Sequence, residues 1–389
     1  MAKEKNRSEV EETYKWNLNA LLKEEEIPEI KKEILELTNE LETFKGHILE
    51  SSNTFAKFYE VDEKLSRLID QLSVYSYMNC DVETTDSKRQ GLKMEVESLL
   101  ENISERLTFI EPEILSDDYE TIKKYIEEND SLKQYQFSLE KLFRQKEHTL
   151  SEQEERIITL ASNAMGDDVF YNIDNSDIHL GMIQDENGEE VELTNSNYNK
   201  YMNSKDRNVR INAFQHMYHY FEGLKNTLAA SLKGNIKENF FSSKVRNFES
   251  PLKESLFYDN IDVSVYDKLI EIVHKNLDAM YEYMDLKKKI LNLDEFHMYD
   301  IYVDLVDDLD IKIPLEEGKQ MVFDALKPLG ENYINDLKKA FQQKWIDIYP
   351  NIGKKSGAYS WGCYDSYPYL LLNYNDTVDS VSTMAHELG

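Results

Sequence analysis

The scarcity of helix-breaking residues is the feature of this sequence that most constrains its fold. Only 13 glycines and 7 prolines occur among the 389 residues, so long stretches can keep a helical hydrogen-bonding pattern. Apolar residues recur at intervals of three and four along these stretches, as in Ile27, Ile30, Ile34, Leu37 and Leu41. This spacing is typical of one buried helix face. The sequence therefore predicts a mainly α fold.

The same periodicity predicts where the individual helices lie. We expect helices at 27–43, 54–79, 87–108, 116–128, 132–145 and 151–165, and then at 207–239, 263–291, 315–326 and 331–344. The helix lengths are irregular, and no fixed-period repeat is present, which argues against a solenoid.

Residues 168–195 interrupt the helical pattern. Apolar residues flank the turn sequence Asp185-Glu186-Asn187-Gly188, and an Asn-Gly step between two such runs is typical of a β-hairpin. The length of the chain exceeds the roughly 250–300 residues at which a single core stops growing. We therefore predict a helical N-terminal lobe at 1–195, ending in the hairpin, and a second unit at 196–389.

Residues 354–375 differ in composition from the rest of the chain, because glycine, proline, tyrosine and tryptophan are concentrated there. These residue types favour short strands and turns. One interpretation is a peptide-binding edge, in which main-chain groups pair with an extended ligand between aromatic walls. The other is a small sheet that packs on the helices, and composition alone does not separate the two.

Charge and cysteine content restrict the partners and the compartment. With 45 basic and 75 acidic residues the formal charge is −30, which disfavours nucleic acid and anionic membrane surfaces as partners. Two cysteines form no disulfide framework, and neither a signal-peptide core nor a membrane-length apolar run is evident. We expect a cytoplasmic protein, and the oligomeric state is not determined by the sequence.

The sequence ends in VSTMAHELG, and the apolar spacing predicts a helix from about residue 376 that carries His386 and Glu387. In one class of zinc peptidases, a His-Glu-x-x-His helix supplies two metal ligands and a glutamate that acts on water. One His-Glu pair occurs easily by chance, so the pair alone is weak. His216 and His219 are three residues apart, and we interpret them as core or surface histidines rather than as ligands.

The residues before this pair add a specific resemblance. GAYSWGCYDSYPYLLLNYNDTVDSVSTMAHELG at 357–389 closely resembles the approach to the zinc helix in the oligoendopeptidase F family, the thimet-oligopeptidase-like metallopeptidases of family M3. ETYKWNLNALLK at 12–23, the hairpin region and the stretch 204–210 resemble further parts of that family. The resemblance extends over essentially the whole chain.

The resemblance implies a zinc-dependent endopeptidase that hydrolyses short unstructured peptides. It assigns His386 as a zinc ligand and Glu387 as the general base. Our hypothesis is that Gly357, Ala358 and Tyr359 form the edge that pairs with the peptide backbone. The complete enzyme would hold one Zn²⁺ ion. The second histidine of the motif and the later glutamate ligand have no match, so we expect a truncated form that neither binds zinc tightly nor cleaves peptides alone. The alternatives are a non-catalytic helical peptide-binding adaptor and a structural scaffold.

Overall fold

The computed structural model describes residues 5–165, 169–305 and 312–389, and it confirms the mainly α fold. No helix in these ranges is long and apolar enough to cross a membrane. The α-helices of the described residues are α1 Ile27–Glu42, α2 Ser52–Asp81, α3 Ser87–Arg106, α4 Ile110–Ile114, α5 Tyr119–Glu128, α6 Gln136–Arg144, α7 Glu152–Met165, α8 Val169–Tyr171, α9 Asn195–Met202, α10 Arg207–Gly223, α11 Lys225–Val245, α12 Pro251–Phe257, α13 Val263–Lys275, α14 Leu277–Ile290, α15 Leu315–Leu326, α16 Glu331–Gln342 and α17 Val378–Leu388.

Two small sheets accompany the helices. Strands β1 Met182–Gln184 and β2 Glu190–Glu192 form an antiparallel hairpin with Ile183 opposite Val191, which confirms the hairpin predicted from the Asn-Gly step. Strands β3 Ile346–Asp347, β4 Tyr359–Trp361 and β5 Tyr369–Leu371 form the second sheet in the order β3-β5-β4. Strand β5 is parallel to β3 and antiparallel to β4. Strands β4 and β5 thus lie within the aromatic segment, and β4 is at one edge of the sheet.

Two of the long predicted helices are each divided in the structure. The stretch 207–239 is interrupted between α10 and α11 at Leu224, and the stretch 263–291 is interrupted between α13 and α14 at Asn276. Both residues leave the helical region of the backbone, with ψ close to zero. The Asn276 amide donates to the Ile272 carbonyl oxygen at 2.7 Å, and such side-chain bonds compete with the helical ladder. The spacing of apolar residues gives no information about this competition, so it does not predict the break.

The main core joins the two ends of the chain. Buried residues of α1, α2 and α3 lie in the same apolar cluster as residues of α15, of strands β3 and β5 and of α17. A second, smaller cluster runs from Leu180 to Ala213 around the β1–β2 hairpin. The division at residue 195 stays a prediction.

The N-terminal segment, residues 5–22, lies along the second sheet and is held by backbone hydrogen bonds. The Ile352 amide donates to the Lys5 carbonyl at 3.0 Å, and the Ile348 amide donates to the Tyr14 carbonyl at 3.0 Å. The Asn17 amide donates to the Lys344 carbonyl at 2.7 Å. Residues more than 300 positions apart in sequence therefore form one layer.

A buried group of charges fixes this layer. The Asp347 carboxylate has no exposed surface; it binds the Arg7 guanidinium through both oxygens and lies 2.7 Å from the Lys354 ammonium. Lys354 also donates to the carbonyl oxygens of Tyr349 at 2.8 Å and Leu372 at 2.6 Å. Each charge thus has an opposite charge or several acceptors, which buried ions require.

Burial and pairing act on the pKa values of this group in opposite directions. Burial raises the pKa of Asp347, but Lys354 and Arg7 together outweigh it and hold that pKa below the ordinary value. Burial lowers the pKa of Lys354 to about 8, although Asp347 opposes the shift. Both groups are therefore charged at neutral pH.

We expect Asp347→Asn to lower the free energy of unfolding by roughly 3–5 kcal/mol, because two buried cations lose their counter-charge. Urea denaturation at pH 7 measures this loss. Asp365→Asn is the matched control, since Asp365 pairs with Arg67 at a site where both side chains are about 40% exposed, and it should cost less than about 1 kcal/mol.

The pH dependence of the stability difference between the unsubstituted protein and Asp347→Asn gives a second test. The pKa of Asp347 is lowered in the folded state, so its contribution is present above the ordinary carboxyl pKa of about 4 and is lost as the pH falls through the folded value. The stability difference between the unsubstituted protein and Asp347→Asn should therefore shrink on acidification. A constant difference between pH 7 and pH 3 would contradict the assignment.

Candidate functional site

Helix α17 carries the predicted site residues near its C-terminal end. Its N-cap is Thr377, whose side chain accepts a hydrogen bond from the Ser380 amide, the usual role of threonine at that position. Val381, Met384 and Leu388 are buried, as the apolar spacing predicts. His386 lies on the exposed side of the helix, and Glu387 is half-buried.

A glycine sets how closely α17 approaches α15. At Gly318 a Cβ atom would lie 2.3 Å from the Tyr374 hydroxyl oxygen and 3.0 Å from the Val381 Cγ2 atom. No side chain larger than hydrogen fits at this position without movement. The Tyr374 hydroxyl in turn donates to the Ile313 carbonyl at 2.8 Å. The position of α17 therefore depends on Gly318.

The segment between β5 and α17 is a tight turn held by polar contacts. Asp376 has a φ of +56°, a left-handed conformation that aspartate tolerates better than most residues. The Ile313 amide donates to its carbonyl oxygen at 2.9 Å. The Asn375 amide donates to the Ser380 hydroxyl oxygen at 3.0 Å. The chain thus turns directly from the central strand of the sheet into α17.

Strand β4 and the turn before it form the predicted substrate edge. Gly357 has a φ of +79° and leads through Ala358 into the strand. The Asn373 amide donates to the Gly357 carbonyl at 2.8 Å. Because β4 pairs with β5 on one side and is the last strand of the sheet, its other edge has no strand beside it among the described residues. Helix α17 packs against β4, so the structure brings the edge and the His386 helix together.

The sequence prediction missed Asp81, which holds the edge in place. Asp81 ends α2 and is 4% exposed. Its carboxylate accepts hydrogen bonds from the Tyr359 hydroxyl at 2.9 Å and from the Tyr171 hydroxyl at 3.2 Å. Burial raises the pKa of Tyr359, and the Asp81 charge raises it further, so the hydroxyl remains a donor. Nothing near residue 81 in the sequence indicates this role.

The aromatic side chains of this segment divide into two groups. Tyr369 and Tyr374 are buried in the core at 1% and 2% exposure, whereas Trp361, Tyr364 and Tyr367 are exposed at 38%, 84% and 42%. The segment is therefore a sheet that packs on the helices and also presents aromatic surface.

A cleft of about 360 Å³ lies between α9 and the N-terminal half of α17. Gly357 lies on its wall beside asparagine, serine and threonine side chains. Thr383, one turn before Glu387, also lines it. The cleft therefore connects the glycine that precedes the edge strand with the helix that carries His386.

The donor set of a zinc site is incomplete in the part of the chain that the structure describes. No group of three His, Cys, Asp or Glu side chains within these ranges is arranged to hold a metal ion. A catalytic zinc ion takes three protein ligands, and α17 supplies one imidazole. His216, interpreted from the sequence together with His219 as a core or surface histidine, has its Nδ1 atom 2.7 Å from the Leu180 carbonyl oxygen. The described residues therefore do not make a zinc site by themselves.

The fold and the site define a mainly helical protein in which the helix that carries a His-Glu pair packs against an edge strand. The family model described as Peptidase family M3 matches residues 200–389, and the model described as Oligopeptidase F matches residues 113–179. The chain belongs to peptidase family M3.

Individual relatives match nearly the whole chain. Group B oligopeptidase PepB of Streptococcus agalactiae is 36% identical over 99% of this chain and 64% of its own length. Oligopeptidase PepF of Bacillus subtilis is 33% identical over 99% of this chain and 58% of its own length. The crystal structure of oligoendopeptidase-F from Enterococcus faecium shows a TM-score of 0.71 at 31% identity, over 82% of this chain and 60% of that one. The chain thus spans less than two thirds of the length of these relatives.

We expect Gly318→Ala to lower the free energy of unfolding by roughly 1–3 kcal/mol, because the added methyl group meets the Tyr374 hydroxyl and Val381. Gly234→Ala, inside α11 with open space around the added atom, is the control and should raise stability by up to about 1 kcal/mol. Urea denaturation of both variants measures the difference. Equal effects would show that α17 does not depend on the close approach.

Proposed function

We propose that this chain is part of a zinc-dependent oligoendopeptidase that hydrolyses short unstructured peptides. The observation that carries the proposal is the packing of α17, with exposed His386 and half-buried Glu387, against the edge strand β4 in a member of family M3. The relatives with the names oligopeptidase and oligoendopeptidase support the reaction class.

The two α17 residues take separate roles in this proposal. His386 contributes one imidazole to the metal, and zinc, when bound, lowers the pKa of water and polarises a carbonyl group. Glu387 takes a proton from the attacking water and delivers it to the leaving amine.

Strand β4 supplies the substrate contact in the proposal. A peptide in extended conformation adds to an open sheet edge through main-chain hydrogen bonds, whatever its sequence. Gly357, Ala358 and Tyr359 lie at the start of this edge, and the adjoining cleft is lined by hydroxyl and amide side chains. Such an edge accepts unstructured peptides, because the backbone of a folded protein is already hydrogen-bonded.

The remaining ligands would come from the part of the protein that corresponds to the rest of the relatives' length. Because α17 supplies one imidazole and the described residues include no group of three His, Cys, Asp or Glu arranged to hold a metal ion, we propose that the 389-residue polypeptide binds zinc weakly and hydrolyses peptides too slowly to detect. The number of cysteines and the acidic composition support a cytoplasmic location and peptide partners rather than nucleic acid.

We expect peptidase activity to appear when the chain is joined after Gly389 to the segment of S. agalactiae PepB that follows its alignment with this chain. In that protein Glu387→Gln should lower kcat by roughly 10²–10⁴-fold with zinc content unchanged. His386→Ala should lower the zinc content itself. Cleavage of a quenched fluorescent peptide and metal analysis of the purified protein measure the two effects.

Glu331→Gln is the matched control, because Glu331 is an exposed glutamate on α16, and it should leave both values unchanged. Zinc-dependent turnover by the unextended 389 residues would refute the incomplete-site part of the proposal. Binding of a peptide without cleavage by the joined protein would instead support the adaptor alternative.

We expect Tyr359→Phe to raise KM by roughly 2- to 10-fold with little change in kcat, because loss of the bond to Asp81 loosens the strand that holds the substrate. Tyr364→Phe, which alters a tyrosine that is 84% exposed, is the control. Steady-state kinetics of the joined protein measure both. An unchanged KM for Tyr359→Phe would remove β4 from the substrate site.

A further inference from the structure

One long stretch of the chain contributes no fully buried side chain to the apolar core. Within the described range 169–305, residues 214–302 include no buried apolar side chain. The buried residues of this stretch are polar or charged, namely Ser243, Glu254, Lys287 and Asp300. Neither apolar cluster contains a buried residue from it. The stretch includes α11 to α14, so these four consecutive helices place no fully buried apolar side chain in either cluster.

Helices α13 and α14 show the feature most clearly. Their exposed apolar side chains, here called the α13–α14 face, are Val265, Tyr266, Leu269, Ile270, Ile272, Val273, Met280, Tyr281, Tyr283, Leu286 and Ile290. Each of the eleven is between 39% and 62% exposed. Residues spaced three and four apart recur within the set, which is the pattern of a helix that packs against another element. Isolated exposed apolar residues are ordinary, but a set of this size marks an interface.

Polar contacts hold α14 to the rest of the protein. The buried Lys287 ammonium donates to the Ile301 carbonyl oxygen, and burial lowers the pKa of Lys287. Asp300, the residue before Ile301, accepts hydrogen bonds from Arg207 at 2.9 Å and from Arg210 at 2.8 Å. These contacts fix the C-terminal end of α14 and leave its apolar side chains exposed.

We propose that the α13–α14 face packs against the part of the protein that corresponds to the remaining length of its relatives. The curated relatives align with 97–99% of this chain, and the chain spans 58–65% of their length. The face also lies inside the region that matches the peptidase M3 model. A third or more of each relative is therefore available to cover a surface in the same domain.

A second copy of this chain is the competing occupant, and charge disfavours it. Each copy carries a formal charge of −30, so two copies repel each other at moderate ionic strength. The proposal depends on family membership and on the apolar surface, and it does not depend on the zinc chemistry. Its test therefore measures assembly instead of hydrolysis.

The test co-expresses the 389-residue chain with a tagged copy of the S. agalactiae PepB segment that follows its alignment with this chain. The chain should co-purify with the segment in a 1:1 ratio. Leu269→Glu with Val273→Glu places two charges one turn apart on the face and should lower recovery at least tenfold. Met94→Glu with Phe137→Glu is the control, because these residues are 67% and 76% exposed and lie outside the face; recovery should be unchanged.

Circular dichroism and thermal unfolding of the separate chains would show that both double variants fold. Equal recovery of the Leu269→Glu, Val273→Glu variant would overturn the proposal, as would failure of the unsubstituted chain to co-purify. Light scattering of the 389-residue chain alone measures its molar mass and so tests whether a second copy of the chain covers the face instead. A dimer that the same double variant converts to a monomer would assign the face to a second copy and overturn the proposal.

Discussion

The ion group of Arg7, Asp347 and Lys354 is the interaction on which the arrangement around the second sheet depends. Asp347 belongs to β3 and is fully buried, and its two partners come from the N-terminal segment and from the loop after β3. Removal of three charged groups from water is unfavourable unless each finds its partners. The segments that carry these groups are therefore held in one relative position.

This position decides the geometry of the site. Lys354 also binds the Leu372 carbonyl oxygen, immediately after β5, and so connects the ion group to the strand that precedes α17. At the opposite edge of the sheet from β3, Asp81 binds the Tyr359 hydroxyl and thus holds strand β4. Gly318 lets α17 pack closely on α15, and α17, the helix that carries His386, also packs against that strand. The proposed site combines groups from α2, α15, the sheet and α17.

The two parts of the chain differ in how they are stabilised. Helices α1 to α3 bury large apolar side chains together with the second sheet, so this part has a core of its own. Helices α11 to α14 bury none in residues 214–302, and their apolar residues are half-buried or exposed. Amphipathic helices of this kind obtain most of their stability from tertiary packing. The difference is the physical basis for the assignment of the α13–α14 face as an interface.

The sequence by itself determined the helical class, the hairpin at the Asn-Gly step and the apolar side of α17, because these follow from local backbone preferences and from the periodicity of burial. The resemblance at 357–389 identified the family and marked His386 and Glu387. Tertiary structure decided the rest. The pairing of Asp347 with Arg7, the support of Tyr359 by Asp81 and the approach of α17 to Gly318 join residues up to 340 positions apart, and no local pattern encodes such contacts. The break at Asn276 goes with a side-chain hydrogen bond to the Ile272 carbonyl oxygen, and the exposure of the α13–α14 face depends on what lies against it; the spacing of apolar residues specifies neither.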